Sequence, residues 1–146
     1  MRKDLDEALC AKYPKIFADR NKPMTETAMC WGFECGDGWY QVLDSLCANI
    51  QGYIDWKNRS TEAGQKDFTP VKQVVAVQVK EKFGGLRFYY DGGDEQIFGM
   101  VRMAESWAAH TCETCGAPGK FRGRGWVYTA CDLHTKEEDL VKKETE

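Results

Sequence analysis

The chain has 146 residues, 42% of them apolar and 29% charged, with a formal net charge of −3. That is enough material for one domain with a real core. The near balance of charge excludes the strong overall positive field of a dedicated nucleic-acid binder, so any such contact has to come from a local patch. No apolar run approaches the length of a membrane span. The opening stretch MRKDLDEALCAKYPK places charges where a secretory leader needs its apolar segment.

In chain order, residues 4–17 are predicted to form a short helix, with Leu5, Leu9 and Tyr13 on one face and Phe17 just past Pro14. A glycine-rich loop carrying Cys30, Trp31, Phe33, Cys35, Gly36 and Gly38 follows. The strongest helical pattern runs from Trp39 to Lys57, where Trp39, Val42, Leu43, Leu46, Cys47, Ile50 and Ile54 make one apolar stripe. Asp37 stands where an N-cap belongs. Residues 58–69 are polar and read as a mobile connection.

The period then changes. Val71 to Lys80 is β-branched and alternating, Phe83-Gly84-Gly85-Leu86 supplies a turn, and Leu86 to Tyr90 forms the return strand. Alternation puts Leu86, Phe88 and Tyr90 toward the core and Arg87 and Tyr89 outward. Gly92-Gly93-Asp94 ends the strand and caps a third helix over 95–109, whose predicted buried side is Ile97, Met100, Val101, Ala104, Trp107 and Ala108.

That helix leads directly into Cys112 and Cys115, which after fifteen intervening residues are answered by Cys131 and His134. A C-x2-C pair and a C-x2-H pair each aim two ligands from one tight turn, and together they are the donor set of a closed tetrahedral zinc site. Gly116 lets the backbone fold away from the ion without a Cβ clash. Three thiolates and an imidazole leave no open position, so the expected role is structural, with Zn²⁺ as cofactor. The paired spacing, the odd total of seven cysteines and the absence of a secretory leader point to reduced thiols in a cytoplasm.

Between the ligand pairs, residues 119–129 predict a small hairpin. Its Arg122, Arg124 and Trp126 offer guanidinium forks to phosphates and an indole face to a base. Together with Lys120 they equally suit offsetting the charge of a three-thiolate centre or guarding a hairpin edge. Arg87 and Tyr89, beside Lys80 and Gln78 on the neighbouring strand, make a second polar surface for a nucleotide or a partner protein, or plain solvent-facing decoration. Cys30 and Cys35 have a spacing that metal sites tolerate, whereas Cys10 and Cys47 lie on apolar helix faces. After His134 the tail is charged and predicts a short helix anchored by Leu133, Leu140 and Val141.

No deaminase His-x-Glu, phosphate-binding glycine loop or HExxH is present. His110, the one histidine outside the ligand set, ends a helix two residues before a ligand, where a capping or second-shell role fits. The two Cys-containing brackets are similar to the structural zinc brackets of HNH endonucleases, but the interval between them holds neither histidine nor carboxylate, which argues against nuclease activity.

The string Val79-Lys80-Glu81-Lys82-Phe83-Gly84-Gly85-Leu86-Arg87-Phe88-Tyr89-Tyr90, with Cys112 to Gly119, Gly125-Trp126 and Cys131-Asp132-x-His134, resembles a family of small bacteriophage and prophage proteins. The similarity runs from about Trp31 onward. It implies a soluble accessory protein in a bacterial cytoplasm that binds a host factor in counter-defence.

The expected architecture is therefore α+β, a single domain over residues 1–146. It has three helices, a central β-hairpin or small antiparallel sheet, and a zinc-ribbon-like element with a short terminal helix, residues 110–136 being an integral structural zinc module. The expected function is non-enzymatic binding of a host defence protein or a nucleotide signal, with Arg87, Tyr89, Arg122, Arg124 and Trp126 as candidate contacts. A nucleic-acid-binding module is the alternative and a metal-dependent hydrolase the third reading. Apolar stripes on two helices leave a homo-oligomer open.

Overall fold

The computed structural model of the chain describes residues 1–65 and 69–140. Helix α1 (Lys3–Lys12) stops earlier than its apolar spacing predicts, because Tyr13 precedes Pro14 and adopts φ −126°, ψ 62°. The chain then turns, and Ile16, Phe17 and Met29 join Leu9 and Tyr13 in the core. Two residues, Phe33–Glu34, form strand β1. A 3-10 turn over Asp37–Trp39 leads into α2 (Tyr40–Glu62). Asp37 does not cap that helix; its carboxylate accepts the Arg2 backbone N–H at 2.7 Å.

All seven residues of the predicted α2 stripe, Trp39 included, are buried. The helix continues past Lys57, and Asn58 exchanges two hydrogen bonds with the Val71 backbone, so the connection is ordered at both ends. Residues 66–68 of that connection lie outside the described residues.

Strands β2 (Val75–Lys82) and β3 (Gly85–Asp91) pair antiparallel, and β1 pairs parallel to β2 through Phe33↔Val79 and Glu34↔Lys80. The sheet is thus mixed, in the order β1-β2-β3, rather than purely antiparallel. The parallel strand escaped the sequence because two residues show no period, and α2 serves as its crossover. Phe33 meets Phe17 edge-to-face at 4.9 Å, which seats β1 on the residues after α1. Along β3, Leu86 and Phe88 are buried and Tyr90 packs on the core, while Tyr89 is exposed.

The hairpin turn is Phe83-Gly84, with φ +51° and +79°. Positive φ at both central residues is the type I′ geometry that suits strand twist. Glycine takes it freely; a phenylalanine there costs on the order of 1–2 kcal/mol.

Asp94 caps α3 (Glu95–Ala108), accepting from Gln96 and Ile97 N–H, and Tyr53 donates to its other oxygen at 2.6 Å. Ile97, Val101, Ala104 and Ala108 are buried, but Trp107 is exposed and Met100 only half-buried. Both side chains line a groove between α2 and α3, and Met100 also packs against the core.

Strands β4 (Lys120–Arg122) and β5 (Tyr128–Ala130) form a separate antiparallel ribbon, followed by a four-residue helix α4 (Glu137–Leu140). Leu133 is 92% exposed and Leu140 about half exposed, so neither anchors the tail. Val141 lies outside the described residues. No described helix is long and apolar enough to cross a membrane.

Burial pushes the Asp94 carboxyl up, but the Tyr53 hydroxyl and the two helix N–H donors prevail and hold it below its ordinary value. A carboxylate favoured in the folded state stabilises above the unfolded pKa of about 4 and loses that contribution as pH falls. Asp94→Ala is expected to cost about 1 kcal/mol at neutral pH. Denaturant titration at descending pH should show parent and variant converging below about pH 4.

Candidate metal centre

Two turns build the centre. After α3 the chain passes through Thr111 into a knuckle in which Cys112 N–H donates to Ala117 O at 2.7 Å and Gly116 N–H to Cys112 O at 2.9 Å. Gly116 has φ +80°, the conformation its position after the second cysteine predicts. The second turn is the 3-10 segment Asp132–His134, in which His134 N–H donates to Cys131 O and the Thr135 hydroxyl donates to the same carbonyl.

The two turns bring one ligand atom from each of Cys112, Cys115, Cys131 and His134 within 4.8 Å of one another. Cys115 Sγ lies 3.8 Å from Cys131 Sγ, and His134 Nδ1 lies 3.7 Å from Cys112 Sγ and 3.2 Å from Cys131 Sγ. The four atoms surround a point at which a metal ion can be held. Burial raises the Cys112 thiol, yet N–H donors of Cys131, Cys115 and Thr114 overcome this and bring it down to about 6. A thiolate is thus favoured before any ion arrives. His110 is exposed and its Nδ1 lies 2.9 Å from Ser106 O, a helix-end contact outside the ligand set.

The knuckle is fastened to the core by main-chain contacts. Gly38 N–H donates to Glu113 O at 2.7 Å, and Trp39 Nε1 donates to Thr111 O at 2.9 Å. A Cβ on Gly38 would stand 2.0 Å from Cys112 O, so only glycine permits this approach. The Glu113 carboxylate folds back to accept Gly36 N–H at 2.9 Å. On the far side of the module, the buried Thr129 hydroxyl donates to Gly84 O at 2.6 Å. The β4–β5 ribbon therefore sits on the β2–β3 turn.

The candidate contact residues fall into three groups. Arg122 is only 13% exposed and is turned into the module, its Nε donating to Ala130 O and its Nη2 to Asp132 beside the ligand Cys131. It braces the ligand loop instead of reaching outward, a role the Arg-Gly-Arg pattern does not reveal. Arg87 and Tyr89 pair with Lys80 and Gln78 as expected, and line a groove of about 650 Å³ between β3 and α3. There Arg87 donates to Leu86 O, and Glu105 from α3 accepts the Phe88 N–H on the open edge of the sheet. Arg124 and Trp126 stand exposed on the β4–β5 turn.

Among the described residues, Cys30 and Cys35 join no second group of three or more metal-ligating side chains. The Cys30 thiol lies 3.3 Å from Thr27 O, and burial pushes the Cys35 thiol up to about 12. Reasoning from the sequence passed over Gly38, Glu113 and Thr129, whose roles rest on contacts spanning 45 to 77 residues. The glycine spacing in Cys35-Gly36-Asp37-Gly38 is the only local trace of them.

Comparison with known protein families, with curated proteins and with solved structures finds no match to this chain.

Gly38→Ala is expected to force the knuckle off the core, at on the order of 1–3 kcal/mol. It should hasten metal transfer to a chromophoric chelator, whereas Gly52→Ala, with nothing within 4 Å of its added Cβ, should leave that rate unchanged.

Proposed function

We propose that the chain is a non-enzymatic, zinc-stabilised binding protein of bacteriophage type that acts on a host defence system, by binding a host protein or sequestering a nucleotide signal. The observation that carries the proposal is the completeness of the donor set, three sulfurs and one imidazole nitrogen converging on one point. Zinc–sulfur bonds of about 2.3 Å in a tetrahedron require sulfur–sulfur edges of about 3.8 Å. The Cys115–Cys131 separation of 3.8 Å fits that requirement. Four protein ligands leave no position for water or substrate, which supports a structural ion and not a catalytic one.

Such an ion has something to hold. The ribbon it closes carries little core material of its own: Phe121 and Trp126 are exposed and Val127 is half-buried. Structural zinc contributes on the order of 10 kcal/mol in isolated peptides, enough to order such a segment. The phage context, the host target and the cytoplasmic setting rest on the resemblance of the segment around Phe83 and of the two ligand brackets.

A nucleic-acid-binding module is favoured by one observation, the exposure of Arg124 and Trp126 on a single turn. It is weakened by the inward direction of Arg122.

Native mass spectrometry of protein isolated from expressing cells is expected to show one zinc per chain. Chelation, or Cys115→Ser, should then speed amide exchange by about ten-fold or more in residues 110–136 before the α2 core responds. Absence of stoichiometric metal in folded protein, or unchanged exchange after its removal, would overturn the proposal.

A further inference from the structure

We infer that the groove between the β2–β3 turn and the β4–β5 turn binds a nucleobase together with its phosphate. The inference rests on the reading of the chain as a metal-braced binding protein and names the ligand class of that protein.

The groove has a volume of about 270 Å³ and is lined by Lys80, Glu81, Lys82, Phe83, Trp126 and Val127. Phe83 is 77% exposed and Trp126 is 74% exposed, the largest exposures of any phenylalanine or tryptophan in the described residues. They belong to different hairpins, 43 positions apart in sequence, yet line one cavity. Large apolar rings held in water at a shared concavity mark a ligand surface more strongly than scattered ones do. A nucleobase presents a flat π-face to such rings whatever its identity.

The position of Phe83 is itself a second observation. It stands at φ +51° in a type I′ turn, where asparagine or glycine is the unstrained choice. Its ring is not buried to compensate. A bulky residue kept in a sparsely populated conformation, with its side chain in solvent, points to a use for the ring outside the fold.

The charges complete the match. Lys80 and Lys82 both line the groove, and Lys82 Nζ lies 5.7 Å from the Phe83 ring centroid. Among the described residues Glu81 is the one acidic residue in the lining, and its carboxylate accepts Gly84 N–H at 2.7 Å, so it is directed into the turn. Arg124 is exposed two positions from Trp126. Two lysines beside aromatic faces suit a ligand with a flat apolar part and an anionic part joined by a short linker, which describes a nucleotide unit.

The two rings hold their relative place because the turns are locked together. Thr129 donates to Gly84 O, and a Cβ at Gly84 would come within 3.1 Å of both Phe121 and Val127. The groove is thus preorganised by the same ribbon that the metal closes.

The unit can come from a free nucleotide or from a single strand of nucleic acid, and calorimetric titration separates the two. Zinc-loaded protein is titrated with the four ribonucleoside monophosphates and with a short oligothymidylate, inorganic phosphate serving as control. Saturable binding of a monophosphate supports the inference with a free nucleotide as ligand. Saturation by the oligonucleotide alone, weakening as salt rises, supports it with a strand. In either case Phe83→Gly and Trp126→Ala should each weaken binding on the order of ten-fold. Lys80→Gln combined with Lys82→Gln should flatten the salt dependence.

Phe83→Gly is the decisive variant because glycine relieves the turn, so its Tm should equal or exceed that of the parent. Binding by Phe83→Gly at parental affinity overturns the inference, as does a zinc-loaded, folded parent that saturates with none of the probes. Neither result touches the structural role of the metal, which fails only on the metal analysis and exchange measurements.

Discussion

Between Gly38 and Glu113 two backbones touch without any side chain between them, and the rest of the molecule is arranged around that approach. Gly38 N–H meets Glu113 O at 2.7 Å, the neighbouring Trp39 indole holds Thr111 O, and Glu113 reaches back to Gly36. Trp39 is fully buried at the start of the longest helix, so the metal knuckle is bonded directly to a core side chain. Main-chain hydrogen bonds protected from water are costly to leave unmade. The knuckle that carries Cys112 and Cys115 therefore completes the polar groups of the loop before α2.

The same logic extends to the far face. The β4–β5 ribbon has three paired residues on each strand and cannot stand alone. It is held at one end by the ligand pairs, braced along its length by Arg122, and seated on the β2–β3 turn through Thr129. The outcome is that two turns of unrelated sequence share a surface. An aromatic ring on either turn alone would be ordinary decoration; their shared groove depends on the docking.

Much of this was legible in the sequence, and the boundary of legibility has a physical cause. The α2 stripe, the β2–β3 hairpin with its alternation and the clustering of Cys112, Cys115, Cys131 and His134 all rest on patterns of short period or short spacing, and each is found in the structure. Elements carried by long-range pairing were not readable. Strand β1 has two residues and exists because β2 accepts it. Helix α1 was overextended because apolar spacing continued past a proline whose steric effect ended the helix one turn sooner. Leu133 looked like an anchor because it is apolar, but the ligand turn directs it to solvent. Arg122 looked like a surface cation because it stands in a basic run alternating with small or aromatic residues, but Asp132 and Ala130 O claim it. For Leu133 and Arg122 local chemistry was read correctly and tertiary geometry then reassigned it.

The knuckle's dependence on the loop before α2 also sets a timetable for synthesis. Trp39 must wait for a carbonyl 72 residues further on, and Gly36 for a carboxylate 77 residues further on. At translation rates of about 5–20 residues per second, the indole stays unpartnered for roughly 4–14 s after it emerges from the ribosome. Until then the loop before α2 lacks both partners, and Cys131 and His134 emerge later still.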